Sequence, residues 1–179
     1  RLALSAAETG HLVFGTLHTS SAAKTIDRIV DVFPAEEKEM VRAMLSESLQ
    51  AVISQTLLKT KDGAGRVAAH EIMVATPAIR NLIREDKIHQ IYSAMQTGQE
   101  KYGMQTFNQA LATAYFQKQI TMETALLRSH NQDELQDMIN RHHVTLITIG
   151  NGTASRETEK LVSELTRHAL QTKYLIVNE

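Results

Sequence analysis

Two histidines bracket a short apolar run in Gly10-His11-Leu12-Val13-Phe14-Gly15-Thr16-Leu17-His18-Thr19. Imidazole changes charge nearer neutral pH than any other unperturbed side chain, so a histidine among hydroxyls is a candidate for bonding an anion. Thr16 precedes His18, and Thr19, Ser20 and Ser21 follow it. If Leu12–Leu17 is a buried strand, these groups lie at its carboxyl end, where ligands bind in open α/β sheets. The alternative for His18 is a plain strand cap bonded to backbone. A second histidine, in His70-Glu71, sits within an apolar stretch. Neighbouring strand residues point to opposite faces, so this pair is a poor chelate, and His70 is read as structural. No HExxH or carboxylate cluster accompanies it.

The elements that must position the first group read as follows. Arg1 to Thr9 has a helical pattern stopped by Gly10. Ala22 to Val32 is a helix with Ile26, Ile29, Val30 and Phe33 on one face, capped by Ser20 or Ser21. Asp27 and Arg28 lie on its polar side, as a solvated face or a subunit contact. Pro34 breaks this helix and opens the next, whose start is loaded with Glu36, Glu37 and Glu39. From Met40, the four-residue spacing of Val41, Leu45, Leu49, Ile53 and Leu57 predicts one long helix reaching about Lys59. Lys61–Gly65 is a hairpin-type turn and Arg66–Val74 a strand. Thr76 and Pro77 open a helix with Ile79, Leu82 and Ile83 buried and Arg80, Asn81 and Arg84 outward. Further helices are expected over Ile88–Thr97, Gly103 to about Lys118, Met122–Leu127 and Asp133–Asn140. The composition changes near His142. Val144–Ile149 and Tyr174–Val177 are expected as parallel strands around a helix carrying Leu161, Val162, Leu165 and Leu170. The turn Gly150-Asn151-Gly152 is an incomplete phosphate-binding pattern.

Bulk properties remove several function classes. The 179 residues can bury a real core. A net charge of -1 supplies no general attraction to nucleic acid or a membrane surface. Aromatic residues make up only 4%, with no Trp, which weakens base stacking. There is no cysteine, so thiol, disulfide and zinc-thiolate chemistry are absent. No apolar run approaches the ~18 residues a membrane span needs. The chain opens at Arg1 inside a helical pattern, so it is expected to be a piece of a longer protein.

The wording of Ala6–Thr19 resembles the histidine box of the PilT-type secretion ATPases, which retract type IV pili. The resemblance continues through Ser21–Arg28, Asp31–Pro34, Arg66–Met73 and Ala78–Glu85, and reaches about residue 141. It implies an α/β fold: a partial RecA-like ATPase core over residues 1–76, then a helical C-terminal subdomain over 77–141. A short β-α-β tail over 142–179 resembles part of the RNase H-like, YqgF-type domain of the transcription accessory protein Tex, on Ile147–Glu164. The implied function is the C-terminal portion of a hexameric retraction ATPase. Its cofactors would be ATP and Mg2+. Its partners would be its own copies and the pilus platform proteins of the inner membrane, with the protein cytoplasmic and peripheral to that membrane. No nucleic-acid partner is expected.

His18 is then the expected γ-phosphate sensor, and His11 a bridge to a neighbouring element or subunit. Thr16 and Thr19 are secondary nucleotide candidates. Ala78-Ile79-Arg80-Asn81-Leu82-Ile83-Arg84 matches the motif associated with productive retraction. The plainer reading of its arginines is a bridge to Glu85 and Asp86. The family's Walker A loop, Asp box and Walker B acids have no counterpart here, so this chain alone is expected neither to bind ATP tightly nor to hydrolyse it. Two other readings stay open: a non-catalytic interaction module, and a nucleic-acid-associated fragment acting through the tail.

Overall fold

A computed structural model describes residues 1–142, 146–150 and 173–177. The chain divides into two compact units, Arg1–Asn131 and Gln132–Glu179.

The first unit opens with α1 (Leu2–Glu8). Gly10 stops it at a φ of +88°, and the Gly10 and His11 amides return to the carbonyls of Ala7 and Ala6. That left-handed stop is the one expected of glycine. The following run is not the expected buried strand. Residues 11–18 carry no regular structure, and Leu12 and Phe14 are 77% and 90% exposed. Among the described residues, no backbone hydrogen bond ties 12–20. The physical reason is that a strand exists only beside another strand. The described sheet of this unit is a hairpin formed elsewhere.

Helix α2 (Ala22–Asp31) starts where expected, with Ser21 Oγ accepting the Lys24 amide at 3.2 Å. Ile26 and Val30 are buried in the core. A short 3-10 turn (Ala35–Glu37) then leads into α3 (Lys38–Ser48). Here a second expectation is corrected. The helix ends at Ser48, and Ala51–Lys59 is strand β1 rather than more helix. A four-residue step is also two strand periods, so Leu49, Ile53 and Leu57 share a face in either conformation and the spacing could not discriminate. The neighbours decide it. Val52, Ser54 and Leu58 are the buried set, whereas Ile53 and Leu57 face outward. β-branched Val52, Ile53 and Thr56 fit a pleated surface better than a helix.

After the expected turn, β2 (Arg66–Val74) pairs antiparallel with β1 from Ala51↔Val74 to Lys59↔Arg66. The turn is held by Thr60, whose hydroxyl donates to Asp62 at 2.6 Å and accepts the Gly65 amide at 3.0 Å. Helix α4 (Pro77–Arg84) has Thr76 as cap and Pro77 in its first turn, with Ile79 and Ile83 fully buried. Helices α5 (Ile91–Thr97) and α6 (Gln99–Tyr102) follow. Helix α7 (Phe107–Phe116) begins with a capping box of Thr106 and Gln109, and Thr121 caps α8 (Met122–Arg128). One apolar core joins α2, α3, β2, α4 and α5 through Ile26, Leu45, Met73, Ile79, Ile83 and Ile91.

The second unit contains α9 (Gln132–His142), with Leu135 and Ile139 buried. Strands β3 (Leu146–Gly150) and β4 (Lys173–Val177) pair in parallel, Leu146 opposite Lys173 and Gly150 opposite Val177. Two parallel strands were expected here within a residue or two of these bounds. The expected connecting helix and residues 151 and 152 of the glycine turn lie outside the described residues.

Candidate functional site

The histidine-bearing segment joins the end of α1 to the start of α2. At its near end, His11 Nδ1 lies 3.0 Å from Thr9 Oγ1, and that hydroxyl donates to the Ala6 carbonyl at 2.9 Å. His11 is thereby tied to α1. At its far end, His18 is exposed and has no hydrogen-bonding partner among the described residues. Thr16 is likewise exposed. Thr19 is anchored: its hydroxyl lies 2.6 Å from that of Thr25, which donates to the Ser21 carbonyl at 2.9 Å. Ser20 accepts from Lys24 Nζ at 3.2 Å. The structure therefore brings Thr19 and Ser20 to the head of α2, with His18 exposed one position before them. Among the described residues no hydrogen bond joins His11 to His18.

A helix start is normally a ready anion site, because its first amides lack partners and carry the positive end of the helix dipole. In α2 that position is already filled from within the protein. The Glu71 carboxylate, only 2% exposed, accepts the Ala22 amide at 2.7 Å. The Lys24 amide is taken by Ser21. A phosphate reaching this segment would therefore meet the His18 ring and the side chain of Lys24 rather than those two amides. These residues suit one edge of an anion. They do not amount to a nucleotide cradle.

Glu71 is the residue that sequence reasoning passed over. In the sequence it reads only as a partner for His70, and the two face opposite ways. His70 Nε2 instead sits 2.9 Å from Oε1 of its cross-strand neighbour Gln55, the structural role expected of it. The available signal was an acidic residue inside the apolar run Val67–Val74, since an unpaired buried carboxylate is costly.

The arginines of the motif are not bridged to Glu85 and Asp86, the plainer of the two expectations. Arg80 Nη1 donates to the Ser46 and Glu47 carbonyls at 2.6 and 2.5 Å, at the C-terminal end of α3. Carbonyls in a last helical turn lack amide partners, and a cation there is favoured by the dipole. Arg84 pairs with the Glu47 carboxylate and also donates to Asn81 Oδ1 at 3.4 Å. Glu85 and Asp86 take other partners, Lys87 at 2.7 Å and Arg42 at 2.8 Å. Within the motif Ile79 and Ile83 are core, Leu82 is half-buried, and Ala78 and Asn81 are exposed.

On α2, Asp27 and Asp31 diverge. Burial, followed by the nearby charges of Asp31 and Asp86, pushes the Asp27 carboxyl up. The hydrogen bond and charge of Lys38, 2.6 Å away, hold Asp31 down. Among the described residues, no group of three or more His, Asp or Glu could hold a metal ion, and no helix is long and apolar enough to cross a membrane.

Comparison with known proteins yields two family matches. A model described as Type II/IV secretion system protein matches residues 1–124. A model described as Tex protein YqgF-like domain matches residues 108–179. The twitching motility protein of Neisseria gonorrhoeae is 67% identical over 134 residues, covering 75% of this chain and 36% of its own. The type IV pilus retraction ATPase PilT of Pseudomonas aeruginosa is 72% identical over 125 residues, covering 70% of this chain and 36% of its own. A crystal structure of the pilus retraction motor PilT with bound ADP superimposes with a TM-score of 0.68 at 53% identity, over 76% of this chain and 38% of that one. The chain thus spans about a third of the length of the curated relatives it matches. The mixed helix-and-strand fold is similar to that of the PilT motor. With residues 1–124 matched, the chain belongs to the type II/IV secretion system protein family.

Proposed function

We propose that this chain is the C-terminal portion of a hexameric type IV pilus retraction ATPase. In it, His18 reports on the γ-phosphate of ATP to helix α2. The observation that carries this reading is the geometry at the head of α2. Thr19 and Ser20 are fastened to the helix while the adjoining His18 ring is exposed and unpaired. A ring so placed can hydrogen-bond a phosphate oxygen, and any shift of the segment is passed to α2 through the Thr19–Thr25 contact. The 72% identity to PilT supports the assignment to retraction. So does the match to a motor solved with ADP.

The groups that hold the triphosphate and Mg2+ belong, in this reading, to the part of the family's chain not included here. The exposed Leu12, Phe14 and Leu17 are then strand residues waiting for that part's sheet. The assembled protein is cytoplasmic and acts peripherally at the inner membrane on the pilus platform. Arg80 and Arg84 serve retraction by fixing the α3–α4 angle as much as by contacting a partner.

The test is a graft of residues 1–124 into the Pseudomonas aeruginosa relative in place of its own segment. The graft is expected to hydrolyse ATP, and His18→Ala within it to lose about 10²-fold or more in kcat with its thermal stability kept. Unchanged turnover in that variant demotes the histidine to structure. The 179-residue chain by itself is expected to show no turnover above a heat-killed control.

The match of residues 108–179 to the Tex model favours a second reading, in which the tail contacts nucleic acid. Salt-dependent binding of RNA or DNA by the chain would establish it, and the net charge of -1 argues against it.

A further inference from the structure

Glu71 does more than neutralise one helix end. Its Oε1 accepts the amide of Ala22, the first residue of α2, at 2.7 Å. Its Oε2 accepts the amide of Phe107, the first residue of α7, at 3.3 Å. Both helices are ten residues long, and their positive ends converge on one buried carboxylate. The carboxylate is carried by β2, which faces Ser54 of β1 across the hairpin. The start of α7 is itself fixed to β2: Ile72 and Gln105 exchange backbone bonds at 2.8 and 2.9 Å, and Gln105 Nε2 donates to the His70 carbonyl at 2.7 Å. The start of α2 carries the Thr25 hydroxyl that meets Thr19, next to His18. A continuous set of bonds therefore runs from the histidine segment through Thr25, the head of α2 and Glu71 to the head of α7.

We propose that Glu71 is a positioning residue that clasps α2 to α7, so that the setting of the His18–Thr19 segment is coupled to α7. Its meaning for nucleotide sensing rests on the reading of His18 above; the clasp itself does not. A carboxylate suits this task because each oxygen takes one amide, and both bonds are strengthened by its charge. Glutamine has the same shape but one acceptor oxygen, so it can hold only one of the two helices. An ordinary buried helix cap would stabilise α2 without making α2 responsive to α7.

The experiment follows individual amides of the 179-residue chain by NMR-detected hydrogen exchange, without nucleotide. Gln109→Ala removes the capping-box bond from the Thr106 amide to Gln109 Oε1, 2.8 Å in the structure, together with the bond from Gln109 Nε2 to Gln99 Oε1 at 2.7 Å, and so loosens the head of α7 and its tie to α6. The expected result is exchange about fivefold faster at Ala22 to Thr25 as well as at Phe107, with the β1 amides of Val52 and Ser54 unchanged. In an E71Q background, the same Gln109→Ala change is expected to speed exchange at α7 alone. The proposal is overturned if Gln109→Ala leaves residues 22–25 unaltered while Glu71 is present, or if its effect there is equal in both backgrounds. Should E71Q fail to fold, the Gln109→Ala chain alone decides by the first criterion. Loss of nucleotide sensing at His18 would leave these outcomes untouched, and the reverse also holds.

Discussion

Residues 10–20 and residues 66–76 show two opposite ways in which a segment can stand in a fold. The first is irregular, with large apolar side chains outward, no backbone partner among the described residues from 12 to 20, and one histidine free. The second is a strand and helix cap in which nearly every polar group is spoken for. Gln55 meets His70, Glu71 takes two amides, Gln105 meets the Ile72 backbone, and Thr76 starts α4. The candidate site residues sit on the unsupported segment and the supporting groups on the other. On the proposed reading, a histidine that meets a changing ligand is of little use if its bonds are already made. A carboxylate that sets two helices is of little use unless they are.

Substitutions along the two segments should separate them sharply. Glu71→Ala, which leaves the first amides of α2 and α7 without their acceptor, is expected to cost about 3 kcal/mol of unfolding free energy in urea. A loss below about 1 kcal/mol would place Glu71 with the ordinary surface acids. Arg80→Ala removes two bonds to the end of α3, and a loss near 1.5 kcal/mol is expected from the same measurement. A shift indistinguishable from zero would free Arg80 for a partner-facing role. His18→Ala and Phe14→Ser, on the exposed segment, should each change stability by no more than about 0.5 kcal/mol. A larger loss in either would mean that residues 10–20 are packed in solution and that the contrast fails.

The smallest effect concerns Asp27. Its folded carboxyl lies above the usual range, so the native state holds its proton more tightly than the unfolded chain does. The penalty is fully present above the raised folded value, fades as pH falls from that value to the unfolded one, and is gone below it. Asp27→Asn should therefore raise the Tm slightly near neutral pH and leave it unchanged in strong acid. Equal Tm values for both chains at neutral pH would refute this. Asp31, held low by Lys38, works in the other direction and loses its contribution as pH falls through its folded value.

Much of the fold could be read because its signals are local. Ser21, Thr76, Thr106 and Thr121 each accept a backbone amide three residues on, and Gly10 stops α1 with its own backbone. The turn at residues 60–65 is closed by Thr60 and Asp62. Two elements could not be read this way. Residues 12–17 have the apolar character of a strand, but strand formation depends on a neighbour that no local pattern supplies. Residues 49–59 show a four-residue spacing that serves helix and strand alike. The candidate site divides similarly. His11, His18 and Thr19 stand out by type and spacing. The anchoring of Thr19 on Thr25, and the filling of the helix start by a carboxylate, do not.

The amino-acid sequence alone determined the helix caps and the hairpin turn, which are set by side chains a few positions apart, and the family and the candidate site residues, which are carried by residue types and motif wording. Only the tertiary structure decided which apolar runs are strands, that Arg80 closes α3, and that Glu71 joins two helices. The last depends on groups 49 and 36 positions from Glu71 meeting it in space, and the Arg80 bonds on carbonyls 34 and 33 positions away. A buried carboxylate takes its role from whichever amides the packing brings to it.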